Sequence, residues 1–289
     1  MTRILALTIV AMIAFAANSV FARLALIDSG AGAAIGPVAY TVIRLVSGAA
    51  VLAGLAMWRF RLNPLRHGSW TGGASLAAYA GLFSLAYVVL GAGLGALILF
   101  ACVQMTMIGW GVFRGERLAP VQLIGLAVAV SALLWLIAPG AGNASLSALP
   151  AMLAMALSGV AWGVYSLIGR GARQPTAQTA GNFLRACIIT VLPAIALLPM
   201  MPEPMPAFAG IAYATLSGAI ASGLGYAVWY AALPGLKATQ AGIAQLSVPA
   251  IAAAGGVIFL SEPLTVRFTI ASLLILSGVA LATLTKRRT

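Results

Sequence analysis

This 289-residue chain predicts an all-α integral membrane protein of ten transmembrane helices, laid out as two inverted five-helix repeats with both termini inside. Three observations carry that expectation. Hydrophobic residues make up 62% of the chain and charged ones 7%, with a mean hydropathy of +1.07, whereas soluble domains carry about 25% charge. The stretch Phe113-Arg114-Gly115-Glu116-Arg117-Leu118 returns about 146 residues later as Phe259-Leu260-Ser261-Glu262-Pro263-Leu264. Basic residues collect in alternate loops, as the positive-inside rule requires.

The apolar segments run over 4–27, 34–57, 70–89, 92–113, 119–138, 148–169, 178–199, 208–232, 236–260 and 266–284. Each is close to the ~20 residues a helix needs to cross the hydrocarbon. The first follows Arg3 and stays apolar through Leu26, too far for a signal peptide cleaved after Ala14-Phe15-Ala16. Cleavage would also remove the counterpart of the sixth segment. The second segment leads to Arg59, Arg61 and Arg66, and the third and fourth meet at a soft boundary around Gly91 to Gly95. Arg114 and Arg117 follow the fourth, Arg170 and Arg173 the sixth, and Glu203 the seventh. Pro234-Gly235 and Lys237 close the eighth, Glu262 follows the ninth, and Lys286, Arg287 and Arg288 end the chain. With Arg3 inside, the outer loops hold Asp28, Glu203 and Glu262, and Arg267 alone among basic residues. Runs this continuous exclude a membrane barrel, whose strands alternate over short segments.

Several function classes drop out. The net charge of +12 is scattered through loops, so it marks the inner membrane face and not a nucleic-acid surface. His67 is the single histidine, and Cys102 and Cys187 both sit in apolar runs as small hydrophobes. These residues and four acids make no convergent catalytic set and no metal cluster. No Gly-rich loop ending in Lys-Ser or Lys-Thr is present to bind ATP. The sequence therefore predicts no enzyme and no cofactor.

Five helices per half is an odd number, so the second half must lie upside down relative to the first. The halves divide as 1–139 and 140–289. Arg23 and Arg170 correspond at the ends of helices 1 and 6, Arg44 and Arg185 lie in helices 2 and 7, and Ser131-Ala132 matches Ser277-Gly278. Inverted halves are the signature of alternating access, because either half can adopt the shape of the other. With Gly-Glu-Arg-Leu and Ser-Glu-Pro-Leu each following a small-residue helix, and with Gly223-Leu224-Gly225-Tyr226-Ala227-Val228-Trp229-Tyr230-Ala231-Ala232-Leu233 in helix 8, the chain resembles the drug/metabolite transporter superfamily, EamA type. The resemblance covers almost the whole chain. It implies a multi-pass protein of the cell inner membrane whose relatives export amino acids, other small metabolites or drugs. It also implies a cavity lined by helices 1 to 4 and 6 to 9, with helices 5 and 10 outside.

Candidate cavity or gate residues follow from chemistry at depth. Arg44, seven residues after Pro37, and Arg185 are costly inside lipid. Each meets a substrate carboxylate or gate partner, or else snorkels to a headgroup. Arg23 stands one turn before Asp28, suited to be a membrane-edge residue or one half of an Arg–Asp pair. Helix 6 aligns Ser158, Trp162 and Tyr165 on one face, and helices 4 and 9 place Gln104 and Gln245 at similar depths. Pro249 breaks the backbone ladder of helix 9. Asn18 and Asn182 add amides. Tyr79, Tyr87, Trp110, Tyr226 and Trp229 are fit either for a wall that stacks on a planar solute or for the interfacial belt. No acid lies deep in a helix, which argues against proton-for-cation exchange, and Glu116 and Glu262 suit the N-terminus of the helix that follows each.

These readings converge on a secondary transporter, monomeric or homodimeric, that exports a small metabolite such as an amino acid by alternating access. Its partners are the small-molecule substrate and membrane lipids. Drug efflux and flipping of a lipid or lipid-linked precursor are the alternatives.

Overall fold

A computed structural model describes residues 2–27, 34–115, 117–138, 146–170, 172–197, 207–236 and 238–284. Asp28, Glu116, Glu203, Lys237 and the basic tail 286–288, used above to read loop charge, lie outside them. The helices are α1 (Thr2–Leu26), α2 (Pro37–Phe60), α3 (Trp70–Tyr87), α4 (Ala92–Phe113) and α5 (Pro120–Ile137) in the first half. In the second come α6 (Leu149–Ile168), α7 (Pro175–Leu197), α8, α9 (Ala238–Leu260) and α10 (Val266–Leu284). Helix α8 is built of Phe208–Leu216, a π-helical stretch Ser217–Leu224, and Gly225–Ala232.

Local chemistry explains the helix starts. Pro37, Pro120 and Pro175 each open a helix, where the missing N–H is harmless and φ is already helical. Ser69 caps α3 by accepting the Gly72 N–H at 3.0 Å, and Thr265 caps α10 through the Phe268 N–H. Hydroxyls inside the bundle, among them Thr106 and Ser166, fold back on the carbonyl four residues earlier. That satisfies them without water.

Among the described residues seven helices are long and apolar enough to cross a membrane: α1, α2, α4, α5, α6, α7 and α8. The other three lie beside them, α3 against α6 and α7, α9 against α1 and α4, and α10 against α5. The outer surface is apolar, with Leu5, Phe113, Phe208 and Leu273 among its exposed side chains. So continuous a patch suits lipid and not water. The chain is a multi-pass membrane protein.

The contacts themselves carry the inversion. Exchanging each helix for its counterpart five places along turns the pair α3–α6 into α8–α1, α4–α6 into α9–α1, and α2–α8 into α7–α3. The pairs α2–α7, α4–α9 and α5–α10 map onto themselves. Every one of these pairs is in contact. Helices α5 and α10 approach backbone to backbone, since a Cβ at Gly125 would stand 2.5 Å from the Gly278 carbonyl and one at Gly278 2.6 Å from that of Gly125.

The doubled motif also has a shared shape. Its third residue is left-handed in both halves, Gly115 with φ 91° and Ser261 with φ 52°, so each motif reverses the chain after a helix. One expectation is corrected here. Glu262 does not cap the helix that follows it; its carboxylate takes the N–H of Ala92, the first residue of α4 in the other half. The reversed turn at Ser261, with the Glu262 N–H returning to the Gly256 carbonyl, aims the side chain across the bundle and away from α10.

Candidate functional site

The centre of the bundle is organised around Arg44. Seven residues past Pro37, it lies about 10 Å along α2 from the helix start, and it is only 2% exposed. Nη2 donates to the Tyr79 hydroxyl at 2.8 Å. The guanidinium carbon stands 4.5 Å from the centre of the Phe83 ring and 5.1 Å from that of Tyr79, close enough for both π faces to attract the charge. Nη1 has no hydrogen-bond partner among the described residues. A buried charged donor left unpaired costs more than the ~1–3 kcal/mol of a neutral one. The only acid among the described residues, Glu262, is bound to Arg23 and Ala92.

Around this cation the helices contribute a continuous set of rings. Trp162 of α6 lies 4.8 Å from Tyr79, 5.1 Å from Tyr165 and 5.3 Å from Tyr226, centre to centre. Tyr226 continues to Phe15 on α1 and Phe183 on α7, and Phe15 meets Trp229. The Ser158 hydroxyl donates to the Tyr79 carbonyl at 2.9 Å, pinning α6 to α3 one turn from Trp162. Five helices beside α2 thus supply aromatic area around one charge.

A polar chain runs along one side. The Tyr40 hydroxyl donates to Ser217, Ser217 donates to Asn18 Oδ1 at 2.8 Å, and Ser222 donates to the same oxygen at 3.2 Å. The π winding of α8 makes this possible. In an α-helix residues five apart diverge by about 140°, while i→i+5 bonding brings them onto one face. Gly218 lets this stretch sit on α2, because a Cβ there would meet the Arg44 carbonyl at 2.1 Å.

Of the residues singled out in the sequence, Asn18, Arg44, Tyr79, Trp162, Tyr165, Tyr226 and Trp229 come together here. Arg185 does not. It donates to the carbonyls of His67, Gly181 and Leu65 and stacks over Trp70, tying α7 to the loop before α3. Asn182 takes the Ser69 N–H at 2.8 Å at the start of α3, and its amide faces the Tyr165 hydroxyl at 3.5 Å. Tyr87 is buried toward the other end of the bundle, donating to Ser19. Trp110 is 46% exposed and packs on Phe113 and Arg114, the position of an interfacial belt residue. Gln104 is buried on α4 and Gln245 half-buried on α9, and among the described residues neither bonds to the Arg44 cluster.

Sequence reasoning missed Tyr40, Phe83, Phe15, Ser217 and Ser222. Tyr40 lies four residues before Arg44 and Phe83 four after Tyr79, spacings that put each pair on one helix face. The two serines carried no such signal, since only a π segment aligns them. Among the described residues no group of His, Cys, Asp or Glu could hold a metal ion.

Comparison with known proteins agrees with this architecture. The model of the EamA-like transporter family matches residues 149–284. An uncharacterized protein of Pseudomonas aeruginosa is 50% identical over 279 residues, spanning 96% of this chain and 94% of that protein. An uncharacterized transporter of Archaeoglobus fulgidus is 24% identical over 211 residues, 71% of this chain and 72% of its own length. A solved crystal structure, 24% identical, superposes with a TM-score of 0.66 over 95% of this chain and 96% of that one, and shares the fold.

Proposed function

The chain belongs to the EamA-like transporter family, and from that premise we propose that it exports a small carboxylate-bearing metabolite, such as an amino acid, across the cell inner membrane. As a member of this family it is a secondary transporter and not an enzyme. The observation that carries the finer reading is the unpaired Nη1 of Arg44, held among aromatic rings where the two halves meet. A carboxylate is the natural partner for that nitrogen, because a charge-assisted bond to Arg is strong and directional. Trp162, Tyr165 and Tyr226 offer flat faces to an apolar or aromatic body. Asn18, which reaches the same region through Ser217 and Tyr40, supplies an amide for its neutral polar groups.

A positive charge at the centre favours a carboxylate over a cationic drug. In this reading the halves 1–139 and 140–289 rock against each other around the Arg44 cluster, carrying the solute from the cytoplasmic to the outer side. The test is flux of a mixed, isotopically labelled amino-acid pool through proteoliposomes, with and without a pH gradient. Saturable movement of one or more solutes that disappears in Arg44→Gln supports the reading. Movement that ignores Arg44, or no movement of any amino acid, overturns it.

A further inference from the structure

At the end of the bundle that the loop charges assign to the outside, four helix ends from both halves meet on one ion pair. Arg23 closes α1, and its Nε stands 3.4 Å from Glu262 Oε1. The same side chain donates through Nη1 to the Tyr87 carbonyl at 2.9 Å and the Val88 carbonyl at 3.3 Å, the orphan acceptors at the end of α3. Glu262, from the turn after α9, takes the Ala92 N–H on both oxygens at 3.0 and 2.8 Å. There the α4 dipole favours an anion. Two glycines leave room for it: a Cβ at Gly91 or Gly256 would stand 2.9 or 2.5 Å from the carboxylate. Directly beneath, the Tyr87 hydroxyl donates to Ser19 at 2.7 Å, and Ser19 is buried.

We propose that Arg23 and Glu262 are the outer gate latch of this transporter, a set of contacts that seals the outer end here and opens once in each cycle. Every bond in the set joins the end of one helix to the end of another, so all of them break without unwinding a helix. The acid belongs to the second half and its partners, Arg23 on α1 and Ala92 on α4, to the first, the division across which inverted repeats move. Charge-assisted bonds suit such a device, being directional when made and replaceable by water when the rim hydrates.

The test reads access and needs no knowledge of the solute. In a background with Cys102 and Cys187 replaced by serine, Ser19→Cys reports on the space under the latch. Intact cells are treated with a membrane-impermeant maleimide. Adding Glu262→Gln should raise the labelling rate about tenfold, the shift that losing one charge-assisted bond gives a two-state equilibrium. Arg23→Gln, which leaves the α4 cap in place, should raise it in the same direction. A second measurement separates a gate from a fixed strut. With Arg23→Cys and Glu262→Cys joined by a bifunctional methanethiosulfonate, labelling at position 19, read there by fragmentation mass spectrometry, should stay low even after the inner end is closed by a reductant-stable cross-link. A non-thiol reductant washed out before the maleimide is added should raise it at that position. Unchanged labelling in both glutamine variants, with monodisperse elution from a sizing column, overturns the proposal. So does labelling that rises while the cross-link is in place.

Discussion

Tyr79 holds Arg44 in two ways at once, accepting Nη2 on its hydroxyl at 2.8 Å and facing the guanidinium with its ring at 5.1 Å. The hydroxyl contact orients the cation so that Nη1 is the nitrogen left over. Tyr79→Phe keeps the ring and removes only the acceptor. It should destabilise the purified protein by about 1.5–3 kcal/mol, the value of a hydrogen bond to a charged group, as read by denaturant unfolding in detergent. Substrate affinity should fall with it, because the guanidinium loses its fixed orientation.

Arg44→Met should separate stability from transport. Among the described residues the charge is buried without an acid and with one nitrogen unpaired, so an apolar side chain of similar length relieves a desolvation penalty. The melting temperature should stay level or rise. Flux at low substrate should drop by about 10–100-fold, as expected when one charge-assisted contact to the solute is lost. A steep loss of melting temperature would instead identify Arg44 as a structural residue.

Arg185→Met should behave in the opposite sense. This arginine donates to the carbonyls of Leu65 and His67 in the loop before α3 and to that of Gly181 within α7, and deleting it removes the tie between that loop and α7. A loss of about 1–3 kcal/mol is expected, with the KM for the transported solute unchanged. Running the two arginine variants side by side in melting and flux assays checks both at once.

Ser261→Gly should stabilise the protein. Ser261 holds φ 52°, while its counterpart Gly115 holds φ 91° without the Cβ penalty. Removing that penalty is worth about 1 kcal/mol. Unfolding measured with and without the change tests it, and the Glu262 latch should remain intact because the turn is unchanged.

Much of the architecture was legible in advance. Hydropathy located the ten helices, and the basic loops marked their inner ends, while the prolines that open α2, α5 and α7 were not read as start signals. The repeated Gly-Glu and Ser-Glu steps pointed to equivalent turns, and Gly115 and Ser261 indeed share the left-handed conformation. The face of α6 that carries Ser158, Trp162 and Tyr165 was also visible as spacings of four and three residues. Two kinds of residue were not. Ser217 and Ser222 reach Asn18 only through a π segment, which departs from the period used to read the helix. Arg44 and Arg185 looked alike in sequence, because a buried arginine advertises its cost but not its partners.

What the sequence by itself determined is the set of properties local to each segment: which stretches enter lipid, where they stop, which loops carry charge, and that one half repeats the other. Hydrophobicity, helical period and turn preference are written within about twenty residues, the span of one membrane helix. The tertiary structure alone decided which polar groups are satisfied and which are left open. Arg185 finds three carbonyls, Arg44 keeps a nitrogen with no partner among the described residues, and Glu262 turns from its own following helix to the first residue of α4. Those outcomes depend on directional contacts of about 3 Å between segments far apart in the chain, and only the packed bundle brings them into range.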